Sequence, residues 1–171
     1  GTGDDRLFGE TGDDILRGDQ GDDHLEGGDG SDRLEGGTGK DRLLGGTGND
    51  ILVGGMGIDR LEGGEGNDVY LVEEGDDLYQ DSIHDSDGQR DEIHYTGDDS
   101  LRLHRFTTDN GIEGMDVNQR SIVGDEQGNL LDFSQITFAD DQQEISGEGG
   151  NDILRGSAGN DVLRGDQGED T

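Results

Sequence analysis

Residues 9–17 of the chain read Gly9-Glu10-Thr11-Gly12-Asp13-Asp14-Ile15-Leu16-Arg17. The next nine residues repeat the pattern as Gly18-Asp19-Gln20-Gly21-Asp22-Asp23-His24-Leu25-Glu26. Further units follow in the same register at residues 27–35, 36–44, 45–53, 54–62 and 63–71. A fixed period of this kind predicts a solenoid, in which each unit packs against its neighbours.

Three of the nine positions keep their residue type along the chain. The fourth position is glycine, at Gly3, Gly12, Gly21, Gly30, Gly39, Gly48, Gly57 and Gly66. The sixth is aspartate, at Asp5, Asp14, Asp23, Asp32, Asp41, Asp50, Asp59 and Asp68. The eighth is bulky and apolar, at Leu7, Leu16, Leu25, Leu34, Leu43, Leu52, Leu61 and Tyr70. This regularity argues against a flexible linker, because a linker has no reason to hold an apolar period.

The first six positions of each unit predict a tight turn, and the last three predict a short strand. Glycine suits the turn because it adopts positive φ and lets backbone carbonyls approach a ligand closely. In the strand only the eighth side chain points inward, while the seventh and ninth, such as Arg33 and Glu35, face water. We therefore expect an all-β fold, a right-handed parallel β-roll with one inward side chain per strand.

Alternate aspartates are expected to stack along the two edges of the roll, because two units close one coil of about eighteen residues. One edge collects Asp5, Asp23, Asp41 and Asp59, and the other collects Asp14, Asp32, Asp50 and Asp68. Carboxylates stacked at about 4.8 Å repel one another unless a cation lies between them. Calcium fits, because it takes six to eight oxygen ligands in flexible geometry, whereas magnesium requires a strict octahedron and zinc prefers nitrogen or sulfur.

The repeats resemble those of the RTX (repeats-in-toxin) family, the hemolysin-type calcium-binding nonapeptide repeat proteins. The resemblance implies that several calcium ions are held by the sixth-position aspartates and by turn carbonyls, including those of the fourth-position glycines Gly12, Gly21, Gly30, Gly39, Gly48, Gly57 and Gly66. It also implies a secreted bacterial protein that leaves the cell unfolded through type I secretion machinery and folds on calcium outside. The family usually has glycine at the second position, where this chain carries Glu10 and Asp19.

Composition agrees with folding that depends on a cation. The net charge is −32, only 25% of the residues are hydrophobic, and cysteine is absent, so disulfides and thiolate metal sites are excluded. Without a cation such dense carboxylates should keep the chain expanded, and calcium bound only to the folded state should pull it toward the fold. No apolar run is long enough to span a bilayer, and the negative charge disfavours nucleic acid as a partner.

The pattern weakens after Tyr70 without vanishing. Residues 72–80 form a degenerate repeat that would place Asp77 above Asp59, and residues 1–80 are therefore assigned to the first roll. Asp91 lies in a segment that resembles the one often found after such rolls, and it is a weaker calcium candidate. The chain stops at Thr171 in the middle of a repeat, so we expect a fragment of a larger polypeptide.

Residues 81–146 differ in composition and predict a small β-rich insert that caps the first roll. Alternation predicts a strand at residues 101–106 and another at 136–141, and residues 121–123 and 130–133 flank a predicted hairpin loop at 124–129. Three of its four aromatic residues are expected in a core; the four are Tyr95, Phe106, Phe133 and Phe138.

Repeats resume at residues 147–171, the start of a second, truncated repeat block. Its candidate calcium ligands are Gly150, Asp152, Gly159, Asp161 and Asp170. Stability in a solenoid comes from neighbouring units, so we expect this short block to order only by packing on the insert or on another molecule and to fray in solution.

No catalytic residue is expected in this chain. His84, His94 and His104 recur every ten residues, but no H-E-x-x-H motif and no nucleophile elbow is present. The activity of a parent hydrolase or toxin would lie outside this sequence. Two functions stay open: a calcium-responsive folding module of a larger secreted protein, and a calcium-stabilised adhesion module that recognises a glycan, a surface or a protein through the insert.

Overall fold

The computed structural model describes residues 1–73, 82–83, 90–103, 105–106, 111–140 and 142–171. Within these ranges all of the regular secondary structure is β-strand. Nothing in them forms a helix with the length and apolar character that a bilayer crossing needs.

The strands of the repeat region are β1 Arg6–Thr11, β2 Ile15–Gln20, β3 His24–Asp29, β4 Arg33–Gly39, β5 Arg42–Thr47, β6 Ile51–Gly57, β7 Arg60–Glu65 and β8 Val69–Val72. The later strands are β9 Ser82–Ile83, β10 Glu92–Tyr95, β11 Leu101–Arg102, β12 Arg105–Phe106, β13 Gly114–Asp116, β14 Ile122–Val123, β15 Leu130–Asp132, β16 Thr137–Phe138, β17 Gln142–Ser146, β18 Ile153–Arg155 and β19 Asn160–Arg164.

From β1 to β10 consecutive strands alternate between two sheets, and each strand of the first repeats pairs with the strand two units away. One sheet has the order β1-β3-β5-β7-β9, and the other runs β2-β4-β6-β8-β10-β13-β16. All of these pairs are parallel, and leucine stands opposite leucine, as in Leu7 with Leu25 and Leu25 with Leu43. The expected parallel β-roll, with two units to a coil, is confirmed.

The strands are longer than the three residues expected from the sequence. Strands β1 to β7 run for six or seven residues, from the seventh position of one unit to the third or fourth position of the next. The reason is that identical units stack in register. The backbone groups of the first turn positions can therefore also pair with the neighbouring strand, as Gly28 does with Gly46. The turn between sheets is correspondingly short.

The core is a column of eighth-position side chains. Leu25, Leu34, Leu43 and Leu52 are 0% exposed, and Tyr70 closes the column with a hydroxyl that accepts a hydrogen bond from the Gly63 backbone N–H at 2.7 Å. Val53 differs from the prediction. Its side chain, at the ninth position, was expected to face water but is buried, and its residue pairs with Glu35 of the neighbouring strand.

The strands between the two repeat blocks continue the solenoid. β10 pairs in parallel with β8, β13 with β10, and β16 with β13, so the second sheet extends without a break in direction. The core changes from a column of leucines to a mixture of aliphatic and aromatic side chains. Phe133 is fully buried and stacks on Phe106 with ring centroids 4.9 Å apart, and Tyr95 is also buried, while Phe138 is only partly buried. The expectation that three of the four aromatic residues are core residues is confirmed.

The prediction of a hairpin loop at residues 124–129 is wrong. β14 pairs with β11 and β17, and β15 pairs with β12 and β18, all in parallel, so the two strands flanking these residues are not partners. The physical reason is that consecutive strands of a solenoid belong to different sheets, and each finds its partner one coil away. For the same reason the single strand expected at 101–106 is divided into β11 and β12.

The final repeats stack on the strands before them. β18 pairs with β15, and β19 pairs with β17 over five residues from Gln142 with Asn160 to Ser146 with Arg164. Their fraying in solution stays a prediction.

Candidate metal-binding ladders

The sixth-position aspartates lie at the turns that lead into the strands and form two columns, here called the ladders. In each ladder the backbone N–H of one aspartate donates to Oδ1 of the aspartate one coil later. The distance is 2.8 Å from Asp23 N to Asp41 Oδ1, and the same from Asp32 N to Asp50 Oδ1. The stacking expected from the period is present, with the carboxylates fixed by backbone donors.

The second carboxylate oxygen, Oδ2, is buried in the ladder residues from Asp14 to Asp68 and in Asp152. Asp23, Asp32, Asp41 and Asp50 are 1 to 3% exposed. Among the described residues, six of these buried Oδ2 atoms accept no hydrogen bond from the protein: those of Asp14, Asp23, Asp32, Asp41, Asp50 and Asp152. A buried carboxylate oxygen is strongly unfavourable unless a hydrogen bond or a cation compensates it. The carboxylates therefore fit a cation that binds oxygen.

The first-position glycine explains where Oδ2 points. A Cβ atom on Gly36 would lie 2.6 Å from Asp41 Oδ2 and 2.6 Å from the carbonyl oxygen of Gly54, one coil later. Gly36 does not have a positive φ, so glycine is needed here for space. Two acceptors converge in this way beside Gly9, Gly18, Gly27, Gly36 and Gly45. Hard cations such as calcium bind carboxylate and carbonyl oxygens together. Sequence analysis missed these glycines as site residues, although their invariance in the repeats was a signal.

Gly36→Ala is expected to lower the calcium affinity of the chain and to destabilise the calcium-bound fold by about 2 kcal/mol, as overpacking of a filled site does. The methyl group would displace either the Asp41 carboxylate or the Gly54 carbonyl. Thr38→Ala in the same unit is the control, because Thr38 is exposed. Calcium titrations and thermal unfolding of both variants check this, and equal behaviour of the two would contradict it.

Burial disfavours the charged form of two ladder carboxylates, Asp41 and Asp50. The pKa of Asp41 is raised to about 6, first by burial and also by the nearby carboxylates of Asp59 and Asp23, against the hydrogen bond from the Asp23 N–H. The pKa of Asp50 is also raised to about 6, by burial and by the Asp32 carboxylate, against the Asp32 N–H. Either a proton or a metal ion relieves this cost.

All but one of the fourth-position glycines named as candidate ligands adopt the positive φ expected of them. Positive φ is found at Gly12, Gly21, Gly30, Gly39, Gly48, Gly57, Gly66 and Gly150, but not at Gly159. A Cβ on Gly48 would collide with the carbonyl oxygen of Gly30, so the turns stack without room for side chains. At the second position Glu10 and Asp19 adopt φ of 72° and 74°, a strained backbone for residues with a Cβ.

One ladder continues beyond the regular repeats. The Asp68 N–H donates to Asp91 Oδ1 at 2.8 Å, and the Asp91 N–H donates to Glu113 Oε2 at 3.0 Å. Asp91, the weaker candidate, is 1% exposed and occupies the same place as a repeat aspartate. Asp77 lies outside the described residues. The strand that follows it, β9, pairs Ser82 with Arg60, whereas an eighteen-residue coil would place residue 78 opposite Arg60.

In the last repeats Asp152 and Asp170 form a short ladder. Asp152 is 1% exposed, and its N–H donates to Asp170 Oδ1 at 3.0 Å. Asp161 is placed differently, because its carboxylate accepts the Ser157 hydroxyl at 3.0 Å and no ladder hydrogen bond connects it to another aspartate among the described residues.

The histidines do not form a metal cluster in the described ranges, where no three His, Asp or Glu side chains converge on one point. His94 contacts Glu92 at 2.9 Å, and His84 and His104 lie outside the described residues. Side chains alone therefore do not complete a site in these ranges. A metal site there would need backbone carbonyls among its ligands, and the Gly54 carbonyl oxygen lies on the same side of Gly36 as Asp41 Oδ2.

Comparison with known proteins agrees with this geometry. A search of curated proteins gives no match. The family model of the RTX calcium-binding nonapeptide repeat matches in four copies, at residues 1–34, 26–61, 44–79 and 143–171, which together cover more than half of the chain. The chain therefore belongs to the RTX calcium-binding nonapeptide repeat family.

Proposed function

We propose that this calcium-binding module is part of a larger secreted bacterial protein and that it folds on calcium binding outside the cell, after type I secretion in the unfolded state. The activity of that parent protein, as a hydrolase or toxin, would lie elsewhere in the polypeptide, and this segment would have no catalytic role. The proposal assigns residues 1–80 to the first roll, 81–146 to a capping region and 147–171 to a second repeat block.

The observation that carries the proposal is the set of buried Oδ2 atoms, of which that of Asp50 is typical. Asp50 is 1% exposed, its Oδ1 is engaged by the Asp32 N–H, and its Oδ2 accepts no hydrogen bond in the described structure. A fold that buries several such oxygens in a chain of net charge −32 lacks the positive charge to stabilise them itself. The metal-free fold should therefore be unstable.

In the proposed site each ladder aspartate serves two coils. Its Oδ1 orders the preceding turn through a backbone N–H, and its Oδ2 binds calcium together with turn carbonyls of glycine. Calcium supplies the charge that the buried carboxylates need, and several ions would be bound along the ladders. Because the ligands come from turns one coil apart, the site exists only in the stacked solenoid, so binding and folding are coupled.

Extracellular calcium modules commonly have Kd values of about 10⁻⁴ to 10⁻³ M. With affinity in that range the ladders would be largely free of calcium in the cytosol and occupied outside the cell. The chain would then remain expanded during export and fold after it. This supports a secreted or cell-surface location for the folded module.

The test is a calcium titration of the chain followed by far-UV circular dichroism, with magnesium in parallel. We expect a cooperative change from coil to β-structure at sub-millimolar to millimolar calcium and no equivalent change with magnesium, whose octahedral preference fits the stacked turns poorly. A chain that already shows the full β-spectrum in chelator would overturn calcium-driven folding.

A further inference from the structure

Residues 124–132 occupy the solenoid as a repeat unit, although their sequence hides it. Leu130 pairs with Ile153 and Leu131 with Leu154, which are the seventh and eighth positions of the unit at residues 147–155. In this alignment Gly124 is a first-position glycine, and Asn129 takes the sixth position, where the repeats carry aspartate. Asn129 is 2% exposed.

The side-chain nitrogen of Asn129 lies among oxygen atoms. Nδ2 donates to the carbonyl of Gln127 at 2.8 Å and to that of Gly147 at 3.0 Å. It also lies 3.3 Å from the carbonyl of Asp125 and 3.0 Å from Oδ1 of Asp152. Three turn carbonyls and one ladder carboxylate thus surround one nitrogen. Carboxylates and backbone carbonyls are also the oxygen ligands that calcium takes in proteins.

The space beside the first-position glycine differs between a regular repeat and this unit. In a regular repeat it holds two hydrogen-bond acceptors, whereas here it holds the amide donor of Asn129 and one acceptor. Beside Gly124 the nearest atoms to a Cβ position are Asn129 Nδ2 at 2.6 Å and the Gly147 carbonyl oxygen at 2.7 Å. Beside Gly36 the corresponding atoms are Asp41 Oδ2 and the Gly54 carbonyl oxygen, both at 2.6 Å. An amide N–H satisfies the facing carbonyl directly, whereas a carboxylate oxygen cannot.

We propose that the amide group of Asn129 replaces both the carboxylate and the calcium ion of a repeat turn, and that Asn129→Asp converts this turn into an additional calcium site. The site would consist of the new carboxylate, the carbonyls of Asp125, Gln127 and Gly147, and the carboxylate of Asp152. This inference rests on the proposed calcium ligation by the ladders. It explains why the solenoid can pass through a segment without sixth-position aspartate and still satisfy its turn carbonyls.

The test counts bound calcium per chain by equilibrium dialysis and atomic absorption at saturating calcium. We expect one more ion in Asn129→Asp than in the wild type. Asn151→Asp is the matched control: it adds the same charge one turn away, but Asn151 is exposed and lies outside the cluster, so its count should equal that of the wild type.

The calcium dependence of folding provides a second measurement. Asn129→Asp should be less folded than the wild type in chelator and regain the wild-type circular dichroism spectrum when calcium is added. An unchanged ion count in the folded variant, or a variant that stays unfolded at high calcium, would overturn the inference. If the wild type itself binds no calcium, the proposed function fails instead, so the two failures are distinguishable.

Discussion

Replacing Asp50 by alanine is expected to weaken calcium binding at its ladder site at least tenfold and so to raise the calcium concentration at the folding midpoint. The change removes a buried Oδ2 that faces a turn carbonyl and an Oδ1 that accepts the Asp32 N–H at 2.8 Å. A hydrogen bond or contact to a charged group contributes about 1.5 to 3 kcal/mol, and about 1.4 kcal/mol corresponds to a factor of ten in binding. Circular dichroism during a calcium titration measures the midpoint.

Asp29→Ala is the matched control for this prediction. Asp29 is an exposed aspartate in the third position of its unit, and its carboxylate contacts only the hydroxyl of Thr47, at 3.3 Å, among the hydrogen bonds described. Removing it takes away the same formal charge without touching a ladder. If both variants shift the midpoint equally, general charge density and not ligation by Asp50 governs folding.

The second large effect expected is on pH. Asp41 and Asp50 have pKa values raised to about 6 in the metal-free fold, above the ordinary value of 3.8. The folded state therefore binds these protons more tightly than the unfolded state. The stabilisation that protonation gives the metal-free fold is fully present below pH 3.8 and is lost as the pH rises through about 6.

Calcium binding should show the opposite trend, because protons compete for the same carboxylates. Between pH 7 and pH 5 we expect the calcium affinity of the folded chain to fall by about tenfold at each site whose ligand carboxylate has a pKa near 6. His24→Gln and His94→Gln serve as controls and should keep the effect, because neither histidine occupies a sixth position of a repeat. A calcium affinity of the folded chain that does not change with pH, or a pH effect that disappears in these variants, would contradict the assignment to Asp41 and Asp50.

The roll and its ladders were predictable because the period carries both. A residue that recurs every nine positions must recur on the same edge every second unit, so the stacking of Asp32 on Asp50 follows once the strands are parallel. The inward leucines follow in the same way from the alternation of side chains in a strand. The role of the first-position glycines was not predictable from the sequence. A glycine that is needed for space beside Asp41 Oδ2 looks the same in a sequence as a glycine that is needed for positive φ.

The region between the repeat blocks was less predictable because its spacing is irregular. Coils of 22 to 23 residues replace those of 18, as the ladder step from Asp68 to Asp91 shows, so no fixed period reveals the pairing. Two apolar runs around a polar loop at residues 124–129 suggested a hairpin, because local alternation cannot distinguish a partner nearby from one a coil away. Asn129 escaped notice since asparagine in a loop is common and its role depends on the Gly147 carbonyl, 18 residues later.

The hydrogen bond from each ladder N–H to the aspartate one coil later makes the roll a one-dimensional lattice with nearest-neighbour coupling. An ordered turn lowers the entropy that the adjacent turn must still lose, so order spreads along the ladder in steps and the Hill coefficient measures how many turns respond together. A defect at a central residue such as Asp41 divides the lattice into two shorter segments, whereas one at Asp5 only shortens it. The position of an aspartate along the ladder, and not its burial alone, thus sets how much of the fold depends on it.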